Sequence, residues 1–90
     1  MRMVDRIRSK LQAEFAPERI EVIDESARHR GHAGARPGGE THFRVAIVAE
    51  AFRGKSRLEA QRAVYAALAT ELADGVHALS LSARASDDKA

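Results

Sequence analysis

Hydrophobic positions along this chain follow two rhythms. Val4, Ile7, Leu11 and Phe15 recur at steps of three and four. That spacing puts them on one face of a helix, so a helix is expected over 4–15. Pro17 stops it, because the residue before a proline avoids the helical region. Ile20 and Val22 then alternate with Glu21, the two-residue period of a short strand over 20–24. A clearer strand covers 42–49. There Phe43, Val45 and Ile47 point one way, while Arg44, Ala46 and Val48 point the other.

Phe52, Gly54 and Ser56 mark a turn. Ser56 is a candidate helix N-cap, and Glu59 three residues on completes a capping box. The helix it opens is expected to run to residue 73, with Gln61, Val64, Tyr65, Leu68 and Leu72 on one face. Gly75 is placed to end it in a left-handed conformation. A last strand over 76–83 has Leu79 and Leu81 alternating against Ser80 and Ser82. The four aromatic residues, Phe15, Phe43, Phe52 and Tyr65, fall on these stripes or beside the turn, so core packing is the first reading for each.

Residues 27–40 show no period. Gly31, Gly34, Pro37, Gly38 and Gly39 are mixed there with His29, His32 and three arginines, which predicts a long mobile loop. Loops of that length inside a compact domain are uncommon and often functional. The polar tail, 86–90, is expected to fray. The order is helix, strand, strand, helix, strand. The simplest layered solution is α+β: two amphipathic helices on one face of a three-stranded mixed sheet. One domain is expected over 1–90, with its core at about 4–84.

Composition narrows the class. Hydrophobic residues make up 44% and charged residues 31%, which is globular rather than disordered. No apolar run approaches the ~18 residues of a membrane span, and Met1 to Lys10 lacks the apolar core of a secretory leader. A soluble, cytoplasmic protein is the expectation. The net charge is only +2, but it is unevenly spread. Arg28, Arg30, Arg36, Arg44, Arg53, Lys55, Arg57 and Arg62 face only Glu40, Glu50 and Glu59 across 28–62. Such a middle attracts phosphate or an acidic partner, or is an ordinary solvated surface. There is no cysteine, so disulfides and thiolate metal sites built by this chain alone are excluded.

A succession of short motifs then points to a known family. Asp24-Glu25-Ser26 precedes the Gly/His loop, and Glu40-Thr41-His42-Phe43 opens the second strand. Phe52-Arg53-Gly54-Lys55-Ser56 makes the turn, Arg62-Ala63-Val64-Tyr65 and Glu71-Leu72 lie in the long helix, and Val76-His77-Ala78-Leu79-Ser80 starts the last strand. Each is weak alone. Together, in order and at matching spacing, they resemble the BolA family over roughly 4–84. The resemblance implies a KH-like fold of the second type. It also implies two functional traditions. In one, the protein partners a monothiol glutaredoxin and shares a [2Fe–2S] cluster with it, in iron–sulfur trafficking and iron homeostasis. In the other, it is a DNA-binding transcriptional regulator. The family's cluster ligands are a histidine before the last strand, which maps onto His77, and a histidine or cysteine in the first interstrand loop. The second falls within 29–32, with His32 preferred over His29. One departure is Ala60-Gln61-Arg62, where the family often has Arg-His-Arg.

The donor chemistry is consistent with this. Histidine replaces cysteine on one iron in some [2Fe–2S] centres. Two histidines and no thiol supply half of such a shell. The resemblance assigns the rest to the glutaredoxin cysteine and its bound glutathione, so cluster binding requires a heterodimer. The plainer alternatives stay open: His77 as a partly buried histidine satisfied by backbone, His29 and His32 as exposed loop residues without a role, or His29-x-x-His32 as an incomplete zinc site. His42 opposes Phe43 by strand alternation and reads as structural or surface.

An enzyme is not expected. No nucleophile–base arrangement, P-loop or dinucleotide fingerprint is present. Nucleic-acid binding is the serious rival, through Arg53, Lys55, Arg57 and Arg62 where the turn meets the long helix. Gly54-Lys55-Ser56 lacks the two-glycine backbone clamp of KH domains, and no interleaved aromatics offer stacking. Alone, the chain is expected to be a monomer or a weak homodimer formed through a sheet edge.

Overall fold

A computed structural model describes residues 2–25 and 42–86. The expected Gly/His loop over 27–40, with His29 and His32, lies outside the described residues, as does the tail beyond Ser86. The elements are α1 (Met3–Phe15), β1 (Arg19–Asp24), β2 (His42–Val48), a 3-10 turn (Glu50–Phe52), α2 (Arg57–Ala67), α3 (Ala69–Ala73) and β3 (Ala78–Arg84). The strand order is β1-β2-β3. β1 pairs antiparallel with β2, from Arg19 opposite Val48 to Asp24 opposite Phe43. β3 pairs parallel with β2, from His42 opposite Ala78 to Val48 opposite Arg84. The mixed three-stranded α+β fold is as the sequence led us to expect.

The apolar stripes meet on one face of the sheet. Phe43, Val45 and Ile47 of β2 are buried against Ile7 and Leu11 of α1 and Ala60 and Val64 of α2. Each fully buried aliphatic side chain contributes roughly 1.5–3 kcal/mol. Phe15 closes the core with its ring centre 4.9 Å from that of Phe52. Met3 joins the α1 stripe, one position earlier than the periodicity indicated.

Turn chemistry sets the boundaries. The Ser56 hydroxyl accepts from the Glu59 N–H at 3.1 Å, and the Ser56 N–H donates to Glu59 Oε1 at 2.8 Å. This is the expected capping box. Gly54 has a φ of 79° and Gly75 one of 136°, and after Gly75 the Val76 N–H bonds back to the Glu71 carbonyl at 3.3 Å. The long helix is not continuous. Leu68, with φ −100° and ψ 16°, separates α2 from α3. Its N–H bonds both the Val64 carbonyl at 3.0 Å and the Tyr65 carbonyl at 3.2 Å, so the break leaves no donor orphaned. β3 starts two residues later than expected, because its first pairing partner is His42. Val76 is buried in the core instead.

Glu71 is a feature the pattern did not reveal. It sits on the buried side of α3 at 3% exposure and faces two cations of α1: Arg6 Nη2 at 3.3 Å and Lys10 Nζ at 3.8 Å. Arg6 also reaches Asp74 at 2.7 Å. That hydrogen bond foremost, with the Glu71 charge adding, holds the guanidinium above its ordinary pKa. The network ties the start of the chain to the end of the crossover. Glu71→Ala should cost about 1–2 kcal/mol in urea unfolding. This is less than the ~3–5 kcal/mol of a fully buried pair, because Arg6 is partly exposed and keeps Asp74.

The cap carries a pH signature. Hydrogen bonds from Ser56, its backbone N–H first, hold Glu59 below its ordinary value of 4.5. A depressed folded-state pKa contributes stability that is present above the ordinary value and lost as pH falls through the folded one. Ser56→Ala keeps that N–H but loses the hydroxyl that accepts from the Glu59 N–H, and should cost about 1 kcal/mol at neutral pH. In denaturant titrations the gap between wild type and Glu59→Gln should narrow once the pH drops below 4.5.

Candidate functional site

Parallel pairing of β2 with β3 brings the starts of both strands to the same end of the sheet. His42 is the first residue of β2 and lies opposite Ala78, the first of β3. His77, one residue earlier, is exposed just ahead of its strand. The two imidazole ring centres are 5.2 Å apart, with planes inclined at 53°. The backbone beneath is held on the other side as well, where the Glu25 N–H donates to the His42 carbonyl at 2.8 Å. Glu25 also pairs with Arg44 at 3.1 Å.

This arrangement decides between two expectations for His42. It alternates against Phe43 and is structural rather than surface, at 8% exposure. His77 itself precedes β3, which begins at Ala78. The pair was hidden because the parallel β2–β3 register is a tertiary fact. Had that register been known, His42 opposite Ala78 would have revealed it.

The spacing suits metal chemistry. Two imidazoles bound to one tetrahedral ion, with metal–nitrogen distances of ~2.0–2.1 Å, place their ring centres roughly 5 Å apart. The 5.2 Å between the ring centres of His42 and His77 matches that separation. Among the described residues, no three His, Cys, Asp or Glu side chains gather to hold an ion.

The cationic candidates divide at the opposite end. Arg53 is engaged by Glu50 through both carboxylate oxygens, one of them at 2.8 Å from Nη2. Arg62 is exposed on α2, outside the groove between α2 and β3. Lys55 and Arg57 do line one, between α2 and β3, where Arg84 and Tyr65 join them. Arg84, at the end of β3, was not singled out from the sequence. The four predicted cations are thus two groove residues, one tethered arginine and one on another part of the helix.

The model of the BolA-like protein family matches residues 11–88. The chain belongs to the BolA family. It is 51% identical over 78 residues to human BolA-like protein 1, covering 87% of this chain and 54% of that protein. To the DNA-binding transcriptional regulator BolA of Escherichia coli it is 44% identical over 81 residues, covering 90% of the chain and 73% of the relative. The chain thus spans about half the length of the human relative. The solved structure of BolA1 from Arabidopsis thaliana superposes with a TM-score of 0.87 at 34% identity, covering 100% of this chain and 99% of that one. These are names of BolA proteins and a regulator, not of enzymes. No described helix of this BolA-family chain is long and apolar enough to cross a membrane.

Burial separates the roles of the two histidines. His77→Ala should leave stability within about 0.5 kcal/mol of wild type, as at exposed sites generally. His42→Ala removes a buried polar ring and should cost about 1–3 kcal/mol. Equilibrium urea unfolding of both variants checks the difference.

Proposed function

We propose that this BolA-family chain is a non-catalytic cytoplasmic protein that binds a monothiol glutaredoxin. In that pair it co-ligates a [2Fe–2S] cluster, in iron–sulfur cluster trafficking and iron homeostasis. The observation that carries the reading is the approach of His77 to His42 at 5.2 Å. His77 is exposed and available to a partner, while His42 is held by strand pairing. His77 and a second histidine would occupy one iron, and the glutaredoxin cysteine and glutathione would supply the thiolates this sequence lacks. His42 is a rival for the second position, which the sequence reading gives to His32 or His29, both outside the described residues.

A second reading is DNA binding of the kind named for the Escherichia coli relative. It draws on Lys55, Arg57 and Arg84 around one groove. Neutralising about three phosphates would give a log–log salt slope of roughly −3, well short of a strongly electrostatic DNA binder.

The decisive experiment mixes the chain with a glutathione-loaded monothiol glutaredoxin carrying a [2Fe–2S] cluster, then records visible absorption and circular dichroism. His77→Ala should shift or abolish the heterodimer bands. The second ligand is whichever of His32→Ala, His29→Ala and His42→Ala, the last tested under conditions where it remains folded, has the same effect. Spectra of His77→Ala identical to wild type would remove that residue from the site. Loss of the bands with His32→Ala but not His42→Ala would return the second ligand to the loop.

A further inference from the structure

The sheet ends at β3, and no described strand pairs with its outer edge. The ladder decides which peptide groups face that edge. The Ala49 N–H donates to the Arg84 carbonyl at 2.9 Å, so Arg84 turns its peptide groups toward β2. Successive residues of a strand turn their peptide groups to opposite sides. Ser80 and Ser82 therefore also face β2, while Leu79, Leu81 and Ala83 present theirs outward. The Tyr65 hydroxyl, 3.5 Å from the Leu79 carbonyl, lies on that outer side.

A groove of about 640 Å³ runs along the same edge. Phe52, Leu79, Leu81 and Ala83 give it an apolar wall, while Lys55 and Arg57 stand over it from the start of α2 and Arg84 closes one end. No acidic residue lines it among the described residues. The acids nearest Lys55 and Arg57 in sequence are engaged elsewhere, Glu50 with Arg53 and Glu59 with the Ser56 cap.

We propose that this groove docks an extended acidic segment of a partner protein, which adds to β3 as a fourth strand. The outward peptide groups of Leu81 and Ala83 supply main-chain pairing, and carboxylates on alternate residues of the segment meet Lys55 and Arg57. About five residues, at ~3.3 Å each, span the outward positions of β3. The observations favour a peptide over a nucleic acid. Outward strand groups match another peptide backbone, and Tyr65 has its hydroxyl engaged. There is also no row of aromatic rings on which bases could stack. The inference is independent of the histidine pair, which lies at the other end of β3.

The test uses a fluorescein-labelled, end-blocked heptapeptide of alternating glutamate and valine, measured by anisotropy against the full chain. The expected result is saturable binding, weakened about tenfold or more by Lys55→Glu combined with Arg57→Glu. Both positions are exposed, and acid is tolerated at a helix start, so this variant should fold; its melting curve checks that. N-methylation of one alternate set of peptide nitrogens should weaken binding by a similar factor, and methylation of the other set should not. The amide signals of Leu81 and Ala83 should shift on titration. Equal binding of both methylated peptides and the parent would overturn strand addition. No binding up to millimolar peptide would overturn the site. Tighter binding of a 12-nucleotide single strand or duplex than of the peptide at the same salt would give the groove to nucleic acid instead.

Discussion

The parallel pairing of β2 with β3 is the constraint on which the rest of this molecule depends. Two consecutive parallel strands need a crossover, and here α2 and α3 provide it. The crossover must begin near the end of β2 and return to its start. One topological fact therefore sets both ends of the sheet. At the start of the strands, His42 and His77 meet. At the far end, Lys55 and Arg57 at the entrance to α2 come beside Arg84 at the exit of β3. The histidine pair and the cationic groove are two consequences of one connection.

Burial holds that connection in place. Phe43, Val45 and Ile47 are covered by α1 and α2, so a one-residue slip of β2 would turn all three outward and bring Arg44 and Ala46 into the core. The register that pairs His42 with Ala78 is thus protected by the whole apolar face. At the return of the crossover, Glu71 and Asp74 fasten α3 to Arg6 and Lys10 of α1. Breaking Leu68 out of regular helix leaves Val64, Leu68 and Leu72 all packed in or against the core. A domain of this size buries only about 60–65% of its unfolded surface, so these contacts matter individually.

The two ends differ in chemistry in a way that suits a protein acting through partners. The histidine end combines one exposed ring and one buried ring, with no third donor among the described residues. The groove end combines a strand edge that no described strand pairs with and the positive charge of Lys55, Arg57 and Arg84, while the nearby Arg53 is neutralised by Glu50.

Much of this was legible in the residues. The stripe Val4, Ile7, Leu11, Phe15, the alternation Phe43, Val45, Ile47, the Ser56–Glu59 box and Gly75 determined the elements and most of their limits, because periodicity and capping are local properties of the chain. The motif succession determined the family and singled out His77. The sequence could not decide which histidine stands beside it. It likewise could not show that Glu71 is buried against α1, that Arg53 is tied to Glu50, or that Arg84 joins Lys55 and Arg57. Each of those facts joins residues through strand register or helix packing. The periods of the sequence say which side of an element a residue occupies, and only the assembled sheet says what it meets there.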